Sequence, residues 1–347
     1  MAPVTAIIVT YGAAPTLHLA VEALVRHSSR ELGGIIVVVQ PDVGGVLADV
    51  PTIDFRIDVV VLDDNIGFGP ANNLAVTKCD TEYVAFVNPD LIVTEGWMTP
   101  LIRALDDSAV AIAAPPLLDG EGYLVEAGQA ILSDGGTHAL GGPRWPGEYH
   151  ELMFSRDVDY ASAACWLMRR STFDELGGFD PRYAPAYFED SDLALTAWSR
   201  GLATRLVAER PVVHHHEGAS SDRVALAERS RRLFEAKWAA LLEGQPSREL
   251  LVESPRTVRD HRASQKVVVM VDGDSDTVVV ERVANEAADL ARTQPRHRVT
   301  LVVPDSEIVV RLRRQHRGAG LEIITTECWR GDHAEVEQRR EIGRAHV

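Results

Sequence analysis

Val4-Thr5-Ala6-Ile7-Ile8-Val9-Thr10-Tyr11-Gly12 is an unbroken apolar run, rich in β-branched residues and closed by a turn residue. A strand with one wet face alternates polar and apolar side chains. This run does not, so both faces are expected to be buried, as in a parallel strand covered by helices. Residues 15–27 show helical spacing, with Leu17, Val21, Leu24 and Val25 on one face. Residues 35–39 and 55–62 read as further strands, 72–78 as a short helix and 83–87 as a fourth strand. Alternating strands and helices join through right-handed crossovers, which predicts an α/β fold on a doubly wound sheet. Ligands of such sheets bind beyond the carboxyl ends of the strands. The positions to watch are Thr10-Tyr11, Gln40-Pro41-Asp42, residues 63–73 and Asn88-Pro89-Asp90.

The 347 residues suffice for two domains, or for one large α/β domain with an appendage. A formal net charge of -16 argues against a general nucleic-acid-binding face, because phosphate backbones attract the opposite sign. Phosphate can still be bound locally if a divalent metal supplies positive charge. Cys79, Cys165 and Cys328 are too few and too far apart for a disulfide framework or a metal-ligand pair, which suits a reducing cytoplasm. No basic segment precedes the first apolar run, and no run approaches the roughly 20 residues that span a bilayer. A soluble chain is expected, at most attached to a membrane surface.

The second half of the first 240 residues carries the acidic signals. Residues 115–146 are rich in Gly and Pro and read as loops around short strands near Ile112 and Ala130. Apolar order resumes over 158–168, including Trp166. A helix over 172–176 ends at Gly177-Gly178. Tyr187-Phe188-Glu189-Asp190-Ser191-Asp192-Leu193 then places three carboxylates at the start of a helix over 192–200. Carboxylates at that place are either helix-capping groups, favoured by the dipole, or chemistry. Asn88-Pro89-Asp90 is equally either a turn or a strand-end site whose Asp90 is a hard oxygen ligand for Mg2+ or Mn2+. Asp64-Asn65-Ile66-Gly67-Phe68-Gly69 has the wrong glycine spacing for a dinucleotide fingerprint. Of His214-His215-His216, strand alternation lets only alternate side chains face one site.

Together these segments resemble family 2 glycosyltransferases of the GT-A fold, inverting enzymes with a Rossmann-like doubly wound mixed sheet that use nucleotide-sugar donors. The resemblance rests on residues 4–11, Asp64-Asn65-Ile66-Gly67-Phe68, Asn72-Asn73 and Phe86-Val87-Asn88-Pro89-Asp90. It continues through Leu176-Gly177-Gly178-Phe179-Asp180, residues 188–193 and residues 215–220, and covers about residues 3–240. Asn-Pro-Asp is similar to the metal-binding motif of the rhamnosyltransferase-like branch. The resemblance implies that Asp90 and one histidine of 214–216, His215 first, hold Mg2+ or Mn2+ at the donor diphosphate. It implies Asp190 as the general base that deprotonates an acceptor hydroxyl in one inverting displacement. Glu189 or Asp192 would orient the acceptor. Thr10, Tyr11, Asp42, Asn65, Gly67, Asn72 and Asn88 fall at expected donor-side positions, and Trp166 and Tyr187 are sugar-stacking walls or buried core. One departure concerns the second strand, where the family usually carries an Asp for nucleobase and ribose. Here Val39-Gln40-Pro41-Asp42 leaves that part to Gln40 or Asp42.

A helix over 226–242, basic at Arg229, Arg231 and Arg232, is expected to pack back on the catalytic domain or to lie against anionic lipid. The expected domains are a catalytic GT-A domain over 1–243, a linker over 244–265 and a partial Rossmann-like α/β domain over 266–330. A tail over 331–347 follows. Asp272-Gly273-Asp274-Ser275-Asp276 lacks the later Gly and Glu of a calcium loop. One codon choice for Glu341-Ile342-Gly343-Arg344-Ala345-His346-Val347 reproduces the opening of a short-read sequencing adapter. The tail is thus expected to be an assembly artefact, and residues beyond 266 an unfinished, poorly packed unit. The expected activity is extension of a cell-surface polysaccharide or glycolipid from a nucleotide sugar, dTDP-rhamnose first. Two rival readings remain. A nucleotidyltransferase would want a basic phosphate loop after the first strand, which Tyr11-Gly12-Ala13-Ala14 does not supply. A non-catalytic nucleotide-sugar-binding module would not need Asp190.

Overall fold

The computed structural model describes residues 3–28, 30–142, 152–215, 223–263, 265–271, 275–294, 297–316, 318–325 and 338–340. Strands β1 (Val4–Tyr11), β2 (Leu32–Gln40), β3 (Ile57–Val61) and β4 (Tyr83–Val87) alternate with helices α1 (Leu17–His27) and α2 (Phe68–Val76). Short strands β5 (Leu91–Ile92), β6 (Val110–Ala114), β7 (Leu117–Leu118), β8 (Leu124–Glu126), β9 (Gln129–Ile131) and β10 (Thr137–Ala139) follow, with α3 (Met98–Leu105) among them. Next come β11 (Arg156–Val158), β12 (Cys165–Arg169), α4 (Arg170–Leu176), α5 (Glu189–Ser199), β13 (Ala203–Leu206), β14 (Val212–His214) and α6 (Arg223–Leu242).

These strands form a mixed sheet of order β11-β13-β6-β12-β4-β1-β2-β3. β1 to β4 pair in parallel, and the reversal comes at β12, antiparallel to both β4 and β6. One face buries Ile7, Val9, Phe86, Trp166 and Phe179 beneath α2, α4, α5 and α6. The other buries Ala6, Ile8, Leu17, Leu24 and Trp97 beneath α1 and α3. The unbroken apolar character of β1 is thus the double burial expected of it. A second, four-stranded sheet has the order β5-β14-β7-β8. It carries Glu126 at the end of β8 and His214 at the end of β14.

The segment read as a linker is helical. α7 (Arg248–Glu253) and α8 (Pro255–Arg259) bury Leu251 and Val258 against Ala130 and Leu132. Beyond them stand β15 (Gln265–Met270), α9 (Thr277–Thr293), β16 (His297–Val303), α10 (Ser306–Gln315), β17 (Leu321–Thr325) and β18 (Gln338–Arg340). Their strands form a parallel sheet of order β17-β16-β15-β18, and Val267, Val269, Val283, Ala287, Leu301 and Leu312 make a core of its own. Packing over this unit is therefore better than the sequence suggests. A buried ionic group ties it to the rest: Arg298 Nε donates to Asp260 at 2.7 Å, and Arg259 pairs with both Asp260 and Glu322. The guanidinium groups of Arg156, Arg259 and Arg298 lie 5.1, 5.1 and 4.9 Å from the centre of the Phe154 ring. Residues 143–151, 216–222, 272–274, 326–337 and 341–347, including His216 and the proposed adapter-derived tail, lie outside the described residues.

Gly67 caps α2 at φ +93°. A Cβ there would lie 2.8 Å from both Cα and O of Pro185, whose carbonyl accepts the Phe68 N–H. Gly67→Ala is accordingly expected to destabilise the fold by about 1–3 kcal/mol, from left-handed strain and backbone overlap together. Urea unfolding measures it, and an unchanged midpoint would contradict the packing.

Candidate active site

The residues expected on the donor side collect where β1, β2 and β4 stop. Thr10 is buried, whereas Tyr11 is 44% exposed at the strand end. Gln40 is buried too, and its Oε1 accepts the Ile66 N–H at 2.9 Å, fixing the loop that precedes α2. Asp42 accepts the Gly44 and Val46 amides at 2.8 and 2.9 Å, so it shapes its own turn beside Gly12. Asn65 Oδ1 accepts the Gly67 amide at 2.9 Å. Gly67 itself lies under Pro185 and serves packing rather than ligand contact. Asn72 is likewise no site residue: buried inside α2, it donates to the Phe68 carbonyl at 3.0 Å. Its neighbour Asn73 makes the long-range contact, donating to Phe179 O at 2.7 Å and accepting from Phe179 N at 2.9 Å.

Asp90 sits just past β4. β5 pairs antiparallel with β14, His214 opposite Leu91, and this register turns His214 inward. Its Nε2 lies 3.1 Å from Asp90 Oδ1 and 3.3 Å from Asn88 Nδ2. His215, the histidine first expected there, alternates outward and lies against Gly120. The residue beside Asp90 is therefore His214.

The residues expected on the acceptor side stand at the start of α5, which begins at Glu189, three residues earlier than predicted. No side chain caps it; Tyr187 and Phe188 enter it at φ +77° and +70°. Two consecutive non-glycine residues in the left-handed region are strained, an arrangement that concentrates at functional sites. Phe188 is held there against the Phe234 ring at 5.3 Å. Asp190 is partly exposed and accepts the Ser191 amide at 2.7 Å, with the Ala163 amide 3.4 Å from Oδ2. Its pKa is raised by burial, against the pull of those amides. Glu189 is buried with Oε2 lacking a hydrogen bond among the described residues. Burial, then the charge of Asp190, pushes its pKa well above the usual range.

Two expectations are corrected here. Asp192 does not face an acceptor: its oxygens accept from Tyr183 Oη (3.0 Å), Trp238 Nε1 (2.7 Å) and Lys237 Nζ (2.7 Å), pinning α5 to α6. Trp166 is no stacking wall. It is fully buried in β12, donates to Ala161 O at 3.0 Å and packs on Phe179. Tyr187 remains partly exposed. Residues that sequence reasoning passed over are Glu126, Gln129 and Tyr160, whose side chains form a chain near Asp190. Glu126 and Gln129 lie in the Gly-rich stretch read as loops around short strands, and Tyr160 in the apolar stretch that follows it. Cavities of about 370 and 510 Å3 lie elsewhere, where Ser155 and Glu209 meet Gly318 and Gly320. No helix among the described residues is long and apolar enough to cross a membrane.

The sequence profile of Glycosyl transferase family 2 matches residues 5–177. An N-acetylglucosaminyl-diphospho-decaprenol L-rhamnosyltransferase of Mycobacterium tuberculosis is 31% identical over 173 residues, covering 44% of this chain and 56% of that protein. Rhamnosyltransferase WbbL of Escherichia coli is 27% identical over 168 residues, covering 44% and 63%. The chain thus spans little more than half the length of these relatives. Among solved structures, GalNAc-T7, crystallised with UDP, GalNAc and Mn2+, superposes with a TM-score of 0.50 at 15% identity, covering 74% of this chain and 54% of that one. That likeness supports the GT-A fold alone. Fold, motif order and profile agree, and the chain belongs to glycosyltransferase family 2.

Proposed function

We propose that the chain transfers a sugar from a nucleoside-diphosphate donor to a hydroxyl of a glycan or lipid-linked glycan, with inversion. dTDP-rhamnose is the first donor to test, because relatives at 31% and 27% identity are named rhamnosyltransferases. A cell-surface polysaccharide or glycolipid is the corresponding acceptor, reached from the cytoplasmic side of a membrane. Residues 1–243 form the catalytic domain in this reading. The observation that carries it is the separation of two acidic centres: Asp90 with His214 at a strand end, and Asp190 at a helix start.

The family implies a divalent ion. Asp90 and His214 would hold it, with one hard oxygen and one imidazole nitrogen, a donor set that fits Mg2+ or Mn2+. When bound, the ion supplies positive charge against the diphosphate that leaves. Asn88, within reach of His214, orients that imidazole. Asp190 accepts the proton of the acceptor hydroxyl, and its buried neighbour Glu189, whose pKa is raised by burial, lies beside it. Tyr11 and Asn65, exposed at the strand ends, line the donor side.

A thermal-shift screen of dTDP-rhamnose, UDP-sugars and GDP-sugars, with and without Mn2+, tests the donor and metal. Stabilisation by one of them only with Mn2+ is expected. Asp90→Ala and His214→Ala should abolish that shift while His215→Ala keeps it; the reverse pattern for the histidines would return the ligand to His215.

Asp190→Asn should keep the shift and lose turnover by about 10²–10⁴-fold, measured as nucleoside diphosphate release. Only the carboxylate is a base, and burial raises its pKa, so the acid limb of kcat should lie above the usual carboxylate range. Full activity of Asp190→Asn would remove the base assignment.

A further inference from the structure

Consecutive amides of the loop between β11 and β12 meet carboxylates from two different elements. Ser162 N–H donates to Glu126 Oε1 at 2.7 Å, and the next amide, Ala163 N–H, lies 3.4 Å from Asp190 Oδ2. One residue further, the Ala164 carbonyl accepts the Asn88 N–H at 2.9 Å. Three successive residues thus touch a carboxylate of β8, the base of α5 and the donor-side turn after β4. Glu126 also grips the loop at its start. Gln129 Nε2 donates to Glu126 Oε2 at 2.7 Å, Tyr160 Oη donates to Gln129 Oε1 at 2.5 Å, and the Gln129 amide donates to Tyr160 O at 2.8 Å.

Glu126 is only 7% exposed. A buried carboxylate is costly, and a neutral amide could fill the same acceptor position, so packing alone does not account for a glutamate there. We propose that Glu126 is a positioning residue for Asp190: with Gln129 it clamps the 160–164 loop, which holds the base and the Asn88 turn in one fixed relation. The inference rests on the reading of Asp190 as base. Among the described residues, the ionisable groups that interact with the charge of Asp190 are Glu189 on its own helix, Glu126 on β8 and Tyr160 in the loop, while His214 of β14 interacts with that of Glu126. Burial pushes the Glu126 carboxyl up to about 7, so part of its charge is present where the base works. That charge raises the proton affinity of Asp190.

Glu126→Gln and Glu126→Ala separate geometry from charge. In Glu126→Gln the Ser162 bond survives, and the second contact survives when the Gln129 amide turns over and Tyr160 Oη becomes the acceptor. This variant should keep the donor KM, hold kcat within about threefold at high pH and move the acid limb to lower pH. Glu126→Ala frees the loop and should lower kcat by about 10–100-fold. Turnover is read as nucleoside diphosphate release from the nucleotide sugar that stabilises the protein. A readout independent of turnover is the carboxyl 13C titration of labelled aspartate, Asp190 being the resonance lost in Asp190→Asn; its midpoint should fall in Glu126→Gln. Wild-type kcat, pH profile and midpoint in both Glu126 variants, with Asp190→Asn inactive, would overturn this proposal alone. An active Asp190→Asn would overturn the base assignment and this inference with it.

Discussion

A parallel sheet covered by helices on both faces has nowhere to put working polar side chains except its ends. Along β1, β2 and β4 nearly every residue is buried, and the polar exceptions near the ends, Thr10 and Gln40, spend their hydrogen bonds on backbone atoms. Every candidate group therefore collects where strands stop or where a helix starts. The antiparallel insertion of β12 between β4 and β6 brings the loop beside α5 alongside the end of β4. Without that reversal, Asn88 and Asp190 would not share a loop.

The start of α5 shows how context divides like residues. Asp190 and Asp192 are two positions apart, about 200° around a helix. One looks towards the 160–164 loop; the other is saturated by Tyr183, Trp238 and Lys237 and serves as an anchor. The anchor matters because the entry through Tyr187 and Phe188 is strained, and strain persists only where neighbours over-determine the chain. α6, once a candidate for a lipid surface, contributes that restraint through Phe234, Lys237 and Trp238.

Most of the sheet was legible in the sequence because buried strands leave unbroken apolar runs, and the acidic stretches ending at Asp90 and beginning at Glu189 stand out against them. What failed was rotation about an element. Asn72 and Asn73 are adjacent letters, but helical geometry sends one inward along α2 and the other to Phe179. The choice between His214 and His215 depends on the register of β14 against β5, a pairing of residues over 120 positions apart that no local pattern encodes. Trp166 looked like a sugar platform only while the covering of β12 was unknown. Glu126 was hidden for another reason: a three-residue strand in a glycine-rich stretch is too short to show alternation. α7 and α8 were missed because Pro246 and Pro255 read as linker punctuation, when Pro255 opens a helix.

The cluster around Phe154 sets where the molecule can be divided. Three guanidinium groups share one phenyl ring, and the carboxylates that compensate Arg259 and Arg298 are Asp260 and Glu322, on α8's far side and on β17. Arg156 belongs to the main sheet and is held by the carbonyls of Leu152, Phe154 and Ala127. A chain cut at the apparent linker would strip the cover from Phe154 and Arg156, take Arg262 from Asp159, and leave a wet, charged scar on the catalytic half. The sequence boundary and the physical boundary thus differ. A soluble minimal enzyme would have to keep residues well past 243, or replace the scar with side chains that tolerate water.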